Sequence, residues 1–415
     1  MHQSSFPQKL RLARKTHSTS SLRDRQVSRH LNMADCVLND ISHRRYNPLR
    51  GSWVLVSPHR TKRPWQGQQE DPATIDLPEY DDKCYLCPRN TRAQGEKNPD
   101  YKDTFVFVND YSAVKEQQAE YSPETEANDL SSSLLRVQPT TGLCYVLTFS
   151  AKHNVTLADM TSEEILPVIE TWTRAYAQHL SPKNSLSELS ILDSLPASPD
   201  ANVSPPNVQL RYMQIFENKG AAMGCSNPHP HCQIWATSSF PEEPQTELKQ
   251  MMQYLAGNEG RHLLGDYVKV ELEKKERIVW QNEGILVVVP WWAVWPFEVL
   301  VLPKRHVRAL VDFTKEERLQ FAEAIQEVTR RYDNLFQCSF PYSSGIHQAP
   351  LDGTSEEVDS SYLHMHFYPP LLRSSTVKKF QVGYEMLAEP QRDITPEQAA
   401  TRLRECGGKL YRESL

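Results

Sequence analysis

Short runs dominated by β-branched and aromatic residues recur at 53–57, 104–108, 145–149 and 208–216. Such runs predict strands, because branched and aromatic side chains pack well on a pleated, half-buried surface. Between the third and fourth runs the pattern changes to a helical one. It opens at Thr161-Ser162-Glu163-Glu164, a capping-type start, and continues to about Leu180. Residues 181–207 are rich in Ser and Pro with no sustained period, and are expected to form a surface insertion. Residues 284–303 (GILVVVPWWAVWPFEVLVLP) are almost wholly apolar and nearly long enough to span a bilayer. Pro290, Pro296 and Glu298 break the run, so two buried strands joined by a Trp/Pro turn are expected in its place.

The pattern repeats. Residues 146–164 (VLTFSAKHNVTLADMTSEE) and 299–317 (VLVLPKRHVRALVDFTKEE) both run from strand through a basic residue and a His to an acidic helix start. His153 matches His306, Leu157 matches Leu310, Asp159 matches Asp312 and Thr161 matches Thr314. Each unit is followed by a helix and later by a His-x-His strand, at His229/His231 and His364/His366. Two copies of one α+β unit are therefore expected. The division that follows is a basic arm at 1–43, a first half at 44–238 carrying the insertion, and a second half at 239–407.

Composition narrows the function classes. A chain of 415 residues with formal charge −6 has no basic excess with which to neutralise a nucleic-acid backbone. Small phosphorylated ligands remain open, since they need only local positive charge. Of the eight cysteines, only Cys84 and Cys87 form a close pair, which points to a metal site in a reducing compartment and not to a disulfide framework. No membrane partner and a cytoplasmic location are expected. Residues 1–32 are Arg- and Ser-rich with Asp24 as the only acid. That composition fits a transit peptide, a disordered arm, or sequence upstream of a start at Met33.

Candidate chemistry concentrates in Gly224-Cys225-Ser226-Asn227-Pro228-His229-Pro230-His231-Cys232-Gln233-Ile234-Trp235. Pro228 and Pro230 hold the segment extended, so His229, His231 and Gln233 project from one face. The preceding Glu217-Asn218-Lys219-Gly220-Ala221-Ala222-Met223 offers small residues and exposed amides suited to an approaching phosphate, without the ending of a Walker loop. Neutral imidazole attacks phosphorus well and leaves it readily, so histidines in this setting suit nucleotidyl transfer. Cys84-Tyr85-Leu86-Cys87 alone fits a metal site or a redox or incidental pair; to hold zinc it needs two further ligands, and His153 and His229 are the best candidates. His347, His364, His366 and Glu247 offer three imidazoles and a carboxylate, a set suited to zinc or ferrous iron, although core histidines with hydrogen-bonding roles would look similar. His59-Arg60-Thr61-Lys62-Arg63 is either a solvated charge run or a phosphate clamp.

These residues together resemble the galactose-1-phosphate uridylyltransferase family, a branch of the histidine-triad superfamily. The resemblance is carried by RRYNPLRGSWVLVSPHRTKRPWQGQ, CYLCP, NPDY followed by FVND, FENKGAAMGCSNPHPHCQIW, RYDNLFQCSFPYSSGIHQAP and HFYPPLLRSSTVKKFQVGYE, and covers about residues 44–404. It implies an α+β fold of duplicated histidine-triad-like units, with a largely antiparallel sheet and flanking helices. It also implies transfer of UMP from UDP-glucose to galactose 1-phosphate, giving UDP-galactose, through a covalent uridylyl-histidine at His231. Phosphate partners carry over as Asn218, Ser226 and Gln233, with Arg60 and Arg63 nearby. The uridine pocket carries over as Leu86, Ala93, Phe107, Asn109 and Asp110. Hexose contacts carry over as Lys379, Phe380, Val382, Tyr384, Glu385 and Gln391, which in the family reach a neighbouring subunit's site and imply a homodimer. The resemblance gives Cys84, Cys87, His153 and His229 to zinc, and Glu247, His347, His364 and His366 to a second metal, iron or zinc. Cys232 stands where family members often have Gly, and Gln381 where they often have Met. The rival readings are a relative with another acceptor, such as a dinucleoside polyphosphate phosphorylase, and a zinc-binding scaffold with an inert His231.

Overall fold

In chain order the strands are β1 (His43–Asn47), β2 (Ser52–Val56), β3 (Phe105–Val108), β4 (Gly142–Thr148), β5 (Tyr212–Lys219), β6 (His231–Thr237), β7 (Ile278–Gln281), β8 (Ile285–Val288), β9 (Val299–Pro303), β10 (Tyr342–His347), β11 (His364–Tyr368) and β12 (Gln391–Arg392). The longer helices are α1 (Ser162–His179), α2 (Glu242–Gly257), α3 (Leu263–Lys274), α4 (Lys315–Phe336) and α5 (Pro396–Glu405). This computed structural model describes residues 38, 40–62, 77–119, 130–189, 191–196 and 203–414. Most of the expected arm at 1–43, and Arg63, lie outside the described residues.

A nine-stranded sheet runs in the order β3-β4-β6-β5-β10-β11-β9-β8-β7. The first four strands and the next four follow mirrored paths, 3-4-6-5 against 10-11-9-8, with β7 added at the far edge. The mirror line is the antiparallel pairing of β5 with β10, from Tyr342 opposite Lys219 to Ile346 opposite Ile215. Neighbouring strands of this sheet pair antiparallel throughout the described residues. The duplication read from the sequence is thus a duplication of topology.

The repeat extends to hydrogen bonds. Thr161 caps α1 and Thr314 caps α4, each accepting from the amide three residues on while Glu164 or Glu317 reaches back to the threonine amide. Such a reciprocal cap satisfies two amides that a helix start leaves open. Asp159 accepts from the Thr156 amide at 2.8 Å, and Asp312 from the Arg308 amide at 2.9 Å. α1 and α4 cover one face of the sheet, where Trp172, Ile165, Phe321 and Ile325 join Cys232, Ile234, Met365 and Phe367 in the main core. The other face is covered at its two ends. Cys84, Leu86, Cys87, Tyr101, Phe105, Phe107 and Val146 close one end, and α2 and α3 close the other through Leu248, Met251, Leu264 and Val268.

Between those covers β6, β5 and β10 keep a half-exposed strip. His231, Gln233 and Trp235 alternate there with buried Cys232, Ile234 and Ala236. Residues 284–303 do form two buried strands, β8 and β9, and no helix among the described residues is long and apolar enough to cross a membrane.

Two expectations need correction. The strand expected at 208–216 spans Tyr212–Lys219, because partners decide its ends: β6 finishes opposite Tyr212 at Thr237, and β10 extends the pairing to Lys219. The 181–207 segment is only partly a surface insertion. Leu186 and Leu195 are buried, and Asn184 donates to the carbonyls of Pro350 and Leu351 at 2.9 and 3.1 Å. A Ser/Pro-rich segment carries no period to reveal such docking.

Candidate active site

β6 delivers the first candidate. His231 opens the strand, opposite Thr148 of β4. Its Nδ1 lies 2.7 Å from the carbonyl oxygen of His229, so the Nδ1–H donates there and Nε2 keeps its lone pair. Burial holds this imidazole below its ordinary pKa, against the opposing pull of the same carbonyl. The ring is therefore neutral near pH 7, with one nucleophilic nitrogen free.

Gln233 lies two residues on, on the same half-exposed face. Its Oε1 accepts from the Trp235 indole at 3.0 Å. Opposite it on β5 is Phe216, and two residues beyond, near the end where β6 begins, stands Asn218. Ser343 of β10 donates to Asn218 Oδ1 at 2.7 Å. Ser226 is exposed in the loop before β6.

The small-residue loop differs from expectation. Gly220 and Gly224 take φ of 86° and 79°, around the single turn Ala221–Met223. The amides of Met223 and Cys225 both donate to Gly220 O, and that of Gly224 to Ala221 O. These three are occupied by the turn and are not open to a phosphate.

The Cys84/Cys87 pair meets its expected partners. Cys87 Sγ lies 3.7 Å from His153 Nδ1 and 3.6 Å from His229 Nδ1. One ligand atom from each of Cys84, Cys87, His153 and His229 falls within 4.8 Å of the others. A tetrahedral ion with Zn–S about 2.3 Å and Zn–N about 2.05 Å needs S···N edges of about 3.6 Å, so the set fits. His229 Nε2 is 2.9 Å from Ser150 O and 3.2 Å from Tyr101 OH, which leaves Nδ1 for a metal. Asn227 Nδ2 approaches Cys84 Sγ at 3.4 Å, while Asn227 Oδ1 accepts the His229 amide at 2.9 Å. Burial, with the neighbouring Cys84 adding to it, pushes the Cys87 thiol up to about 12, a cost that a bound cation reverses.

Glu247 of α2 gathers the second set. Its Oε2 is 2.6 Å from His347 Nδ1 and 3.1 Å from His364 Nε2, and its Oε1 is 3.5 Å from His366 Nε2. His364 Nδ1 is directed to Tyr362 O at 2.7 Å. His366 is buried, and neither of its ring nitrogens makes a hydrogen bond. A buried imidazole whose nearest polar contact is a carboxylate at 3.5 Å, beside two more imidazoles, fits a metal ligand better than a core histidine.

Leu86 and Phe107 pack together beside the cysteine pair. Arg92 lies over the Phe107 ring at 4.3 Å and reaches Asp110 at 3.5 Å, which draws Asp110 to this group. Ala93 is exposed and Asn109 half-exposed beside them. Lys379 pairs with Glu385, while Phe380, Val382 and Tyr384 are exposed. Gln391 donates to Asp393, and Arg60 pairs with the same Asp393 at 3.2 Å. Among the described residues, none of Arg60, Lys379, Glu385 or Gln391 makes a hydrogen bond or ion pair with the β6 residues. Arg60, just past the end of β2, and Gln391, in β12, are joined through Asp393 at the small sheet of β1, β2 and β12.

Trp235, Ser343, Tyr101 and Asn227 were not singled out from the sequence. Strict alternation from His231 through Gln233 would have reached Trp235. Ser343 and Tyr101 contact partners 125 and 128 residues away, and no local pattern signals that.

The profile of the galactose-1-phosphate uridyl transferase N-terminal domain matches residues 34–241, and that of its C-terminal domain matches 247–415. The galactose-1-phosphate uridylyltransferase of Neurospora crassa is 71% identical over 391 residues, covering 92% of this chain and all of that protein. That of Saccharomyces cerevisiae is 47% identical, covering 89% of this chain and 96% of its own. A solved uridylyltransferase superposes with TM-score 0.61 at 25% identity, over 88% of this chain and 98% of that one. An ADP-glucose phosphorylase from Arabidopsis thaliana shares the fold at TM-score 0.61 and 18% identity, over 88% of this chain and 99% of its own. The mirrored sheet, both four-residue ligand sets and the two domain profiles agree, and the chain belongs to the galactose-1-phosphate uridylyltransferase family.

Proposed function

We propose that the protein is a UDP-glucose–hexose-1-phosphate uridylyltransferase in which His231 carries UMP between two hexose 1-phosphates. The observation that carries this reading is the His231 Nδ1–H held at 2.7 Å by the carbonyl of His229, just before the strand. Nε2 attacks the α-phosphorus of UDP-glucose, the bond to the bridging oxygen breaks, and glucose 1-phosphate leaves with that electron pair. The uridylylated ring keeps its Nδ1 proton and gains positive charge, which the His229 carbonyl stabilises. Galactose 1-phosphate then attacks the same phosphorus, Nε2 leaves, and the neutral imidazole returns. One site serves both steps, so ping-pong kinetics follow. Gln233, Asn218 and Ser226 are assigned to the phosphoryl oxygens, and Leu86, Ala93, Phe107, Asn109 and Asp110 to uridine.

Zinc is assigned to Cys84, Cys87, His153 and His229, where a closed set of four ligands gives a structural ion that braces the strand. The second set, Glu247, His347, His364 and His366, is assigned to iron or zinc. The hexose group at 379–391, whose Lys379, Glu385 and Gln391 make no hydrogen bond or ion pair with β6 among the described residues, is assigned to the site of a second subunit in a homodimer. A cytoplasmic location accords with the seven described cysteines, which are all free.

Incubation with UDP-glucose labelled in uridine tests the reading. The wild type should acquire label, release it to galactose 1-phosphate, and lose both abilities in His231→Ala. Label acquired from ADP-glucose in preference to UDP-glucose would favour a phosphorylase instead, and no label from either would favour a scaffold.

A further inference from the structure

An amide can help a phosphoryl transfer only if it presents the correct end. The N–H₂ group donates to a developing oxyanion, whereas the carbonyl oxygen repels it. The two ends have nearly the same shape, so packing alone discriminates poorly between them. A partner that can only donate discriminates completely. Gln233 has such a partner in Trp235, whose indole nitrogen carries a hydrogen and no lone pair, 3.0 Å from Oε1.

Trp235 is itself held. Its ring meets Phe216 edge-on, with centroids 5.5 Å apart at 79°, and Phe216 is the residue paired with Gln233 across β5 and β6. β6 lies between β4 and β5, hydrogen-bonded on both sides, so the Gln233 and Trp235 backbones are fixed relative to each other. Ser343 Oγ engages Asn218 Oδ1 at 2.7 Å, but a hydroxyl can also accept, so that contact does not fix the amide's orientation as an indole N–H does.

We infer that Trp235 is a positioning residue for uridylyl transfer, pinning the Gln233 carboxamide through its oxygen so that the N–H₂ end meets the phosphoryl group. This rests on the assignment of Gln233 to the phosphate given above. Without the pin the carboxamide samples both orientations, and the transition state must first order it.

The test is a double-substitution cycle on the full-length metal-loaded enzyme, read as the single-turnover rate of His231 uridylylation. Trp235→Phe keeps an aromatic ring against Phe216 and removes the N–H. Loss of one neutral hydrogen bond predicts a rate about 3- to 10-fold lower. In the Gln233→Ala background no carboxamide remains to orient, so the same change should alter the rate by less than about twofold. An equal loss in both backgrounds, or no loss in either, overturns the inference while the role of Gln233 stands. Near-normal turnover in Gln233→Ala alone overturns both. If Trp235→Phe fails to fold, site-specific replacement of Trp235 by 3-benzothienylalanine, which exchanges N–H for sulfur at constant shape, supplies the same comparison.

Discussion

Gln233→Glu separates charge from shape at the proposed phosphate contact. The substitution is isosteric, and one carboxylate oxygen can still accept from Trp235 where Oε1 now does at 3.0 Å. The other oxygen then replaces the N–H₂ group. Loss of one oxyanion donor costs roughly 10²–10³ in rate. A unit charge about 4 Å from the phosphoryl charge, at an effective dielectric constant near 20, adds a repulsion of about 4 kcal/mol while the carboxylate stays ionised. Gln233→Ala should therefore uridylylate His231 roughly 10²–10³-fold more slowly than wild type, and Gln233→Glu more slowly still at pH 7.5. The same repulsion raises the new carboxyl's pKa, and below that pKa its O–H can donate again. Gln233→Glu should consequently gain activity relative to Gln233→Ala as pH falls from 7.5 towards 5.5. Rapid-quench measurement of label on the protein follows this without interference from product release. A Gln233→Glu rate within tenfold of wild type at pH 7.5, or a ratio to Gln233→Ala that does not change with pH, would mean that residue 233 does not face the phosphate.

Three further outcomes follow from the fold. Cys84→Ser should lose the metal of the first ligand set and lower the melting temperature, whereas His366→Ala should deplete only the second; elemental analysis of each variant decides, and full metal content in Cys84→Ser would refute the first set. Burial pushes Glu217 up to about 7, with Lys219 opposing, so its native form is neutral at low pH. An acid whose pKa is raised on folding contributes stability that is fully present below its unfolded value near 4.5 and is lost as pH rises through about 7. Glu217→Gln should therefore flatten the fall of melting temperature between pH 5.5 and 8.5, and parallel slopes in the two proteins would contradict the assignment. Thr314→Ala breaks the cap of α4 and should cost about 1 kcal/mol, and Thr161→Ala should cost the same at α1 because the two caps share one geometry. Denaturant titration compares them.

The sequence made legible whatever depends on neighbours along the chain. The capping boxes at Thr161 and Thr314 are local signatures, and both are present. The shared face of His231 and Gln233 follows from alternation alone. The residue types of both ligand sets are legible in the sequence, although distance along the chain hides how they close: Cys87 meets His153 and His229 across 66 and 142 residues. What depends on partners was less legible. β5 begins and ends where β6 and β10 supply edges, so composition misplaced it by several residues. The loop at 220–225 has the composition of a phosphate cradle, yet the amides of Met223, Gly224 and Cys225 close on Gly220 and Ala221. Composition allows both uses, and only the backbone path chooses between them.

The duplicated unit also shows why a shared local pattern does not give a shared chemistry. His153 and His306 occupy matching places after β4 and β9, before matching caps. His153 directs Nδ1 to Cys87. His306 instead stacks on His262, with ring centroids 3.6 Å apart, and turns Nε2 to Ser361 O at 2.8 Å. The difference lies in what covers the end of the sheet. In the first half a chain segment with two cysteines lies against β3 and β4, so a histidine arriving there completes a soft ligand set. In the second half α2 and α3 cover that end, and α2 brings Glu247 to the next His-x-His strand, so the ligands shift to His347, His364 and His366. Between the two covers, β6 and β5 keep His231, Gln233 and Asn218 half-exposed, beside the chain that enters β6 from His229. The duplication supplies the scaffold, and the segments packed on its two ends decide which histidines gather into four-residue ligand sets and leave His231 outside them.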